Sequence, residues 1–298
     1  MSQPSESSPS MPLADLNREK ISAFIIAFNE EDQIEACVRS VLFCDEVLVI
    51  DSFSTDRTVE IAKALGARVV QRAWPGYREQ KAYGLASSTH EWVLNLDADE
   101  RVTPALQQEI LDVLKEQKRR RDAGKEVGTE VAGYYINRVV FYLGRWWRLG
   151  GWYPEYRMRF FRKSTVTWGG IDPHEKPIVE GRTSYLKGEL EHYTYHNLDE
   201  QFQRLHSLST LAAREDFKRG KRASLFKLIV NPLLRVLKFY VVKKGYREGQ
   251  AGLIVAVAEG YYTFMKYAKL WEHEFNERLS APGSSAQGSS ADVRGKRE

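Results

Sequence analysis

Two carboxylates, Asp97 and Asp99, stand one residue apart directly after the apolar run of residues 91–96. On a turn at a sheet edge such a pair can point the same way. Hard divalent cations such as Mg²⁺ or Mn²⁺ take oxygen ligands and commonly complete their shell with water and substrate phosphates. A cation held there would neutralise charge building on a departing diphosphate. An isolated D-x-D is more often a solvated acidic turn. The strand before this one, and the Thr103-Pro104 helix start after it, favour a site. A third carboxylate, Asp51, ends the run of residues 46–50 just before Ser52 and Ser54. It could accept hydrogen bonds from a base or ribose, or it could cap the next helix. The glycine fingerprint G-x-G-x-x-G is absent, which disfavours a plain Rossmann dehydrogenase.

Other chemistry-bearing residues give weaker signals. His192 and His196 are four apart, which on a helix would put them on one face as a metal pair. No H-E-x-x-H accompanies them, so one of the two is expected on the acceptor side instead. Trp146, Trp147, Trp152, Tyr153 and Tyr156 crowd one segment together with Arg145 and Arg148. Aromatic faces stack on sugars and arginines pair with phosphates, but core packing explains such a segment equally well. Cys37 and Cys44 form no CxxC, so neither a disulfide scaffold nor a structural zinc site is expected.

The elements that must carry these residues follow from the hydrophobic pattern. Residues 21–28, 46–50, 68–70 and 91–96 read as strands. Helices are expected from Asn29 onward, from the end of the Asp51–Asp56 segment to about Leu65 with Gly66 closing it, over residues 76–86, and from Thr103-Pro104. Alternating strands and helices of about ten residues predict a parallel sheet with crossover helices. The polar clusters then fall at the carboxyl ends of the first, second and fourth strands, where open α/β sheets bind ligands. Residues 119–130 read as a loop. Residues 134–141 and 156–161 alternate like strands of an added or mixed sheet. Residues 198–218, 226–242 and 251–270 are helical candidates, with Pro232 expected to kink or break the second.

The 298 residues are 43% hydrophobic and 28% charged, a globular composition for one large domain or one domain with an appendage. The net charge of +4 hides a split: residues 218–247 hold ten Lys/Arg and no Asp/Glu, so the remainder carries −6. That segment is also rich in aliphatic residues, the composition of an interfacial helix on an anionic membrane surface. It shows no RNP, KH or zinc-finger pattern, so nucleic acid is not the expected partner. A packed helix pair with a solvated basic face is the bland alternative. Residues 1–13 lack a signal-peptide pattern, and no stretch approaches the ~18 uncharged apolar residues of a membrane span. The expected organisation is a disordered N-terminus over 1–19, a catalytic domain over 20–197, a helical C-terminal region over 198–278 and a disordered tail over 279–298. The expected location is cytoplasmic, peripheral on the inner face of the cytoplasmic membrane.

Three blocks carry a resemblance: Ile25-Ile26-Ala27-Phe28-Asn29-Glu30, then Val49-Ile50-Asp51-Ser52-Phe53-Ser54-Thr55-Asp56-Arg57-Thr58, then Trp92-Val93-Leu94-Asn95-Leu96-Asp97-Ala98-Asp99-Glu100. In order and spacing they resemble the family 2 inverting glycosyltransferases with the GT-A fold. Within that family Gly150-Gly151-Trp152, Arg159-Phe160-Phe161-Arg162, His174-Glu175 and the basic, aromatic C-terminal segment resemble the bacterial branch that extends the lipopolysaccharide core. The likeness covers roughly residues 20–275. It implies an α/β GT-A domain, a mainly parallel sheet flanked by helices, with a basic helical extension.

By residue, the resemblance implies that Phe28, Asn29 and Glu30 line the nucleotide pocket and that Asp51 contacts uracil or ribose. It puts Gln80 and Lys81 near nucleotide and sugar, Asp97 on ribose or metal, and Asp99 on the metal at the diphosphate. The family more often has Gly at the positions of Phe53 and Arg57. Inverting transfer also needs a carboxylate to take the acceptor proton. Glu175 is the expected base with Asp172 second, and His174 is placed to orient the acceptor or reach the metal. Asp172-Pro173 alone would read as a turn.

The expected enzyme is thus a metal-assisted glycosyltransferase using a nucleotide-sugar, with a UDP-sugar as expected donor and a lipid-linked saccharide as acceptor. Polyprenyl phosphate or a peptide are alternative acceptors. A non-catalytic nucleotide-sugar-binding protein at a membrane surface is the alternative of another class. A sugar nucleotidyltransferase would show a Gly-rich loop where this chain has Asn29-Glu30-Glu31-Asp32. The sequence fixes neither the donor sugar nor the oligomeric state.

Overall fold

The computed structural model describes residues 17–124, 131–170 and 175–280. They fall into two compact units, one drawn from residues 17–148 and 152–194 and the other from residues 149–151 and 195–280.

In the first unit, β1 (Ile21–Ala27) is buried along its whole length, as its unbroken apolar run requires. It pairs in parallel with β2 (Glu46–Asp51) on one side and β4 (Trp92–Asp97) on the other, and β3 (Arg68–Gln71) extends the parallel set beyond β2. Three strands thus end side by side: Ala27 lies opposite Asp51, and Ile26 opposite Asp97. The sheet then turns mixed. β8 (Glu155–Arg162) runs antiparallel to β4, β6 (Val131–Tyr142) antiparallel to β8, and β11 (Arg182–His192) parallel to β6. A short β5 (Glu100–Val102) closes the edge beyond β11, and β7 (Arg145–Trp147) folds back on β6. β9 (Val166–Gly169) and β10 (Lys176–Val179) form a separate antiparallel ribbon. This is the α/β architecture of a GT-A domain.

Helices cover the sheet. α1 (Ile34–Ser40) buries Ile34, Cys37 and Val38, and α2 (Thr58–Ala64) ends before Gly66. α3 (Tyr77–Ser87) lies so close on β1 that a Cβ at Gly84 would collide with the Phe24 ring. α4 (Pro104–Asp122) begins as expected, with the Thr103 hydroxyl accepting from Leu106 N.

Several expectations need correction. The chain does not become helical at Asn29: residues 29–33 are loop and turn, and α1 starts at Ile34. α4 continues to Asp122 where a loop was expected from Arg119, because Glu116–Arg120 and Lys118–Asp122 pair one turn apart along it. β11 was not anticipated. The aromatic segment divides, with Trp147 fully buried and donating to the Tyr142 carbonyl while Tyr156 is exposed.

The second unit contains α5 (Leu198–Lys218), capped by Asn197, then α6 (Leu225–Leu237), capped by Ser224, and the long α7 (Gly249–Ser280). Pro232 does not break α6, which leads into a π-helical turn over Lys238–Val242. α7 runs ten residues past the expected end at Leu270. No helix among the described residues is long and apolar enough to cross a membrane.

Candidate active site

The loops after β1 and β2 are laced together by backbone donors. Asn29 N donates to Ser54 Oγ at 2.8 Å, Glu30 N to Thr58 Oγ1 at 2.8 Å, and Glu31 N to Asp56 Oδ2 at 3.1 Å. In return Asn29 Oδ1 accepts from Thr55 N at 2.9 Å and Glu31 Oε2 from Arg57 N at 3.1 Å. Asn29 and Phe53 hold left-handed φ of 54° and 62°. Asparagine tolerates that region, whereas a phenylalanine there is strained. This is the physical reason that glycine suits the position of Phe53. Phe28 and Phe53 are both exposed at this rim.

Asp51 is fully buried, and its carboxylate accepts from Ser54 N at 3.0 Å, from the Ser54 hydroxyl and from Gln71 Nε2 at 3.0 Å. It therefore closes the turn that presents Ser52 and Phe53. Gln80 is buried as well, donating to Ser52 Oγ at 3.2 Å.

The second group of residues lies at the end of β4. Asp97 Oδ2 sits 2.6 Å from the Arg159 guanidinium on β8, and Asp97 Oδ1 sits 3.0 Å from Lys81 Nζ on α3. Burial alone would raise the Asp97 pKa. The Arg159 and Lys81 charges outweigh it and hold the carboxyl well below the usual range. Arg159 also donates to Asn95 Oδ1 at 3.0 Å and to the fully buried Glu100 at 2.6 Å. Glu100 in turn meets Arg138, which pairs with Glu155 at 2.7 Å. Although burial opposes the charged form, the carboxylates of Asp97 and Glu100 push the Arg159 pKa up. Burial and then the carboxylates of Glu100, Asp99 and Asp97 push the Cys37 thiol up, so it is inert.

Asp99 points elsewhere. Its Oδ2 lies 3.1 Å from His192 Nε2 at the end of β11, and its carbonyl accepts from Tyr193 N at 2.9 Å. Thr194 Oγ1 holds the other ring nitrogen of His192 at 2.8 Å. Arg101 stacks on the Tyr193 ring at 3.7 Å, and Trp146 packs on the same ring. Lys81 Nζ also reaches Glu175 Oε1 at 2.8 Å, so one ammonium joins Glu175, just before β10, to Asp97. Glu175 Oε2 is buried and has no hydrogen-bond partner among the described residues. Asp172 and His174 lie outside the described residues.

The structure thus brings Lys81, Asp97 and Glu175 together, turns Asp99 to His192 instead, and places Phe28, Asn29 and Glu30 in the loop after β1, Asp51 at the end of β2 and Gln80 on α3. It corrects the histidine reading: His192 ends a strand and His196 precedes α5, bonded to Glu200 at 2.8 Å, so they share no helix face. Sequence reasoning named Arg159 and His192 but did not pair them with Asp97 and Asp99. The two-residue rhythm of buried Leu186, Leu190 and His192 is the signal that would have placed His192 on a strand.

The profile of the family described as Glycosyl transferase family 2 matches residues 22–171, half of the chain. The protein is a family 2 glycosyltransferase. The lipopolysaccharide core biosynthesis glycosyltransferase LpsC of Rhizobium meliloti is 29% identical over 264 residues, covering 85% of this chain and 92% of LpsC. An uncharacterized glycosyltransferase of Rickettsia typhi is 29% identical over 277 residues, covering 87% of this chain and 89% of its own. Among solved structures, S. aureus TarS 1–349 in complex with UDP-GlcNAc aligns over 87% of this chain and 92% of its own, at 14% identity and a TM-score of 0.44.

Proposed function

We propose that this glycosyltransferase moves a sugar from a nucleotide-sugar, with a UDP-sugar as donor, to a lipid-linked saccharide such as the lipopolysaccharide core, inverting the anomeric centre. The observation that carries this reading is Lys81 joining Glu175 to Asp97 at the carboxyl end of β4, with Asp99 two residues further on. The similarity to LpsC along most of both chains supports the acceptor class.

In this reading Phe28, Asn29, Glu30 and the turn closed by Asp51 receive the base and ribose, with Gln80 beneath them. The Asp99 carboxylate, held by His192 Nε2 at 3.1 Å, offers the oxygen donor that a divalent cation of the Mg²⁺ or Mn²⁺ kind takes; among the described residues no group of three or more His, Cys, Asp or Glu side chains could hold a metal ion, so water and diphosphate oxygens would complete the shell. When bound, it would supply positive charge at the diphosphate. Asp97, already neutralised by Arg159 and Lys81, positions Lys81 beside that charge rather than competing for it. Glu175 Oε2 accepts the proton of the acceptor hydroxyl. The acceptor oxygen forms the new bond to the anomeric carbon, the bond to the diphosphate breaks on the opposite face, and the nucleoside diphosphate leaves with that electron pair. A lipid-linked acceptor puts the enzyme peripherally at the inner face of the cytoplasmic membrane.

The test is nucleoside diphosphate release from a panel of nucleotide-sugars, with and without core oligosaccharide and Mg²⁺ or Mn²⁺. Release is expected with a UDP-sugar when acceptor and cation are both present, and Asp99→Ala should slow it by about 10²–10³-fold. Full activity in Asp99→Ala, or no nucleotide-sugar bound by calorimetry, would overturn the reading.

A further inference from the structure

The second unit carries a surface for which the transfer chemistry has no use. α6 and α7 form an antiparallel hairpin: Arg235 pairs with Glu259 at 2.8 Å near the turn, and Arg222 with Glu277 at 3.2 Å at the open end. The backbones approach where Gly260 meets the Pro232 carbonyl and the Val236 side chain. α5 packs on another side of α7 through Phe202 on Tyr261, Asp216 with Lys266, and Ser209 and Thr210 with Lys269.

Large apolar side chains are left in the open. On α6 they are Leu225, Phe226, Ile229, Leu233 and Leu237, with Leu225 71% and Phe226 67% exposed. On α7 they are Leu253, Val257, Phe264, Trp271 and Phe275, at spacings of four and seven that keep them on one line. At about 100° per residue, the α7 line lies roughly 70° round from its contact with α6, and the α6 stripe roughly 100° round from its contact with α7. Both rotations have the same sense along their own helices, and because the helices are antiparallel they turn to the same side. That side faces away from α5. The hairpin is thus apolar on one broad face, more than scattered exposed side chains would give.

The charge around that face selects the partner. Lys238, Lys243, Lys244 and Arg247 are exposed at the α6–α7 turn, and none forms an ion pair with a described residue. The other cations of the basic segment are partly spent: Lys218, Lys221, Arg222 and Arg235 each meet a carboxylate. An aliphatic and aromatic face next to unpaired cations complements an interface that is apolar below and negative above. A phosphate-tracking nucleic-acid groove would present polar and stacking groups instead. With no membrane-crossing helix among the described residues, the fit is to the bilayer surface.

We propose that the face of the α6–α7 hairpin turned away from α5 docks on an anionic lipid bilayer, with α6 lying in the interfacial plane and the turn lysines at the headgroups. It shares with the proposed function only the expectation of a membrane-borne acceptor. The test therefore reads vesicle binding rather than transfer, and either can fail alone.

The full chain is sedimented with vesicles of phosphatidylcholine alone, or mixed with phosphatidylglycerol, at low and high salt. Binding is expected to the mixed vesicles and to weaken with salt. The double variant Phe226→Ser/Leu233→Ser should lower partitioning by about tenfold or more. Lys238→Gln, Lys243→Gln and Lys244→Gln should each lower it by about fivefold and reduce the salt dependence. These side chains are exposed, so unfolding midpoints should not move, which separates lost docking from lost folding. As a second readout, brominated lipid should quench Trp271, and Trp271→Phe should lose that quenching. Absence of binding to mixed vesicles, unchanged binding in the variants, or a dimer in sedimentation velocity that these substitutions dissociate would overturn the proposal.

Discussion

The loops after β1 and β2 and the cluster after β4 end neighbouring strands of one sheet, yet opposite means hold them. The first are fastened by hydrogen bonds from backbone N–H, hydroxyl and amide groups, some to carboxylates but with no cationic side chain as donor, between residues within thirty positions of one another, such as Asn29 to Ser54 and Glu30 to Thr58. The second is fastened by buried charges brought from far along the chain, Lys81 to Glu175 and Arg159 to Asp97 and Glu100, with His192 hydrogen-bonded to Asp99 beside them. Losing one neutral bond leaves a loop that water can repair. Losing one buried charge leaves its partner stranded in low dielectric. The nucleotide side of the site should therefore tolerate substitution, and the diphosphate side should not.

The sharpest way to break that contrast is Arg159→Met. It removes the cation shared by Asp97 and Glu100 and leaves them only Lys81 and Arg138, and a loss of about 3 kcal/mol in urea unfolding is expected. A loss under 1 kcal/mol would mean that the network is not what holds this end of the sheet. The depressed Asp97 pKa adds a pH signature. Its stabilisation is present above the unfolded carboxyl value of about 4 and is lost as pH falls from there through the depressed folded value. Wild-type stability should thus fall more steeply in acid than that of Arg159→Met.

On the other side of the comparison the effects shrink. Ser54→Ala removes the hydroxyl shared by Asn29 and Asp51 and should cost about 1 kcal/mol. Phe53→Gly relieves a left-handed φ of 62° and should change stability by about 1 kcal/mol or less, in the stabilising direction. If either loop variant proved as damaging as Arg159→Met, the distinction would collapse.

The same contrast explains what the sequence made visible. β1, β2 and β4 are continuous apolar runs, the Thr103-Pro104 start of α4 is a local signal, and α5 spans the residues its spacing predicts. The loop residues of the site stand immediately after those runs, so position along the chain was enough to find them. The cluster's partners were not visible that way. Arg159 lies on a strand whose alternation says nothing of Asp97, 62 residues away. His192 was weighed with His196 for their spacing of four and expected on the acceptor side, and its strand was not seen because the period-two pattern of Leu186 and Leu190 is interrupted at Gly188, where the strand passes the backbone of Leu106. The charged stretch at Arg119 was read as loop because charge suggests solvent. Pairs one turn apart make it a helix end.

The central claim is that Glu175, tethered through Lys81 to Asp97, takes the acceptor proton. Glu175→Gln tests it most directly, with turnover and donor affinity measured on the same protein. Turnover is expected to fall by about 10²–10⁴-fold while the nucleotide-sugar still binds with near-normal affinity. Normal turnover in Glu175→Gln would contradict the account.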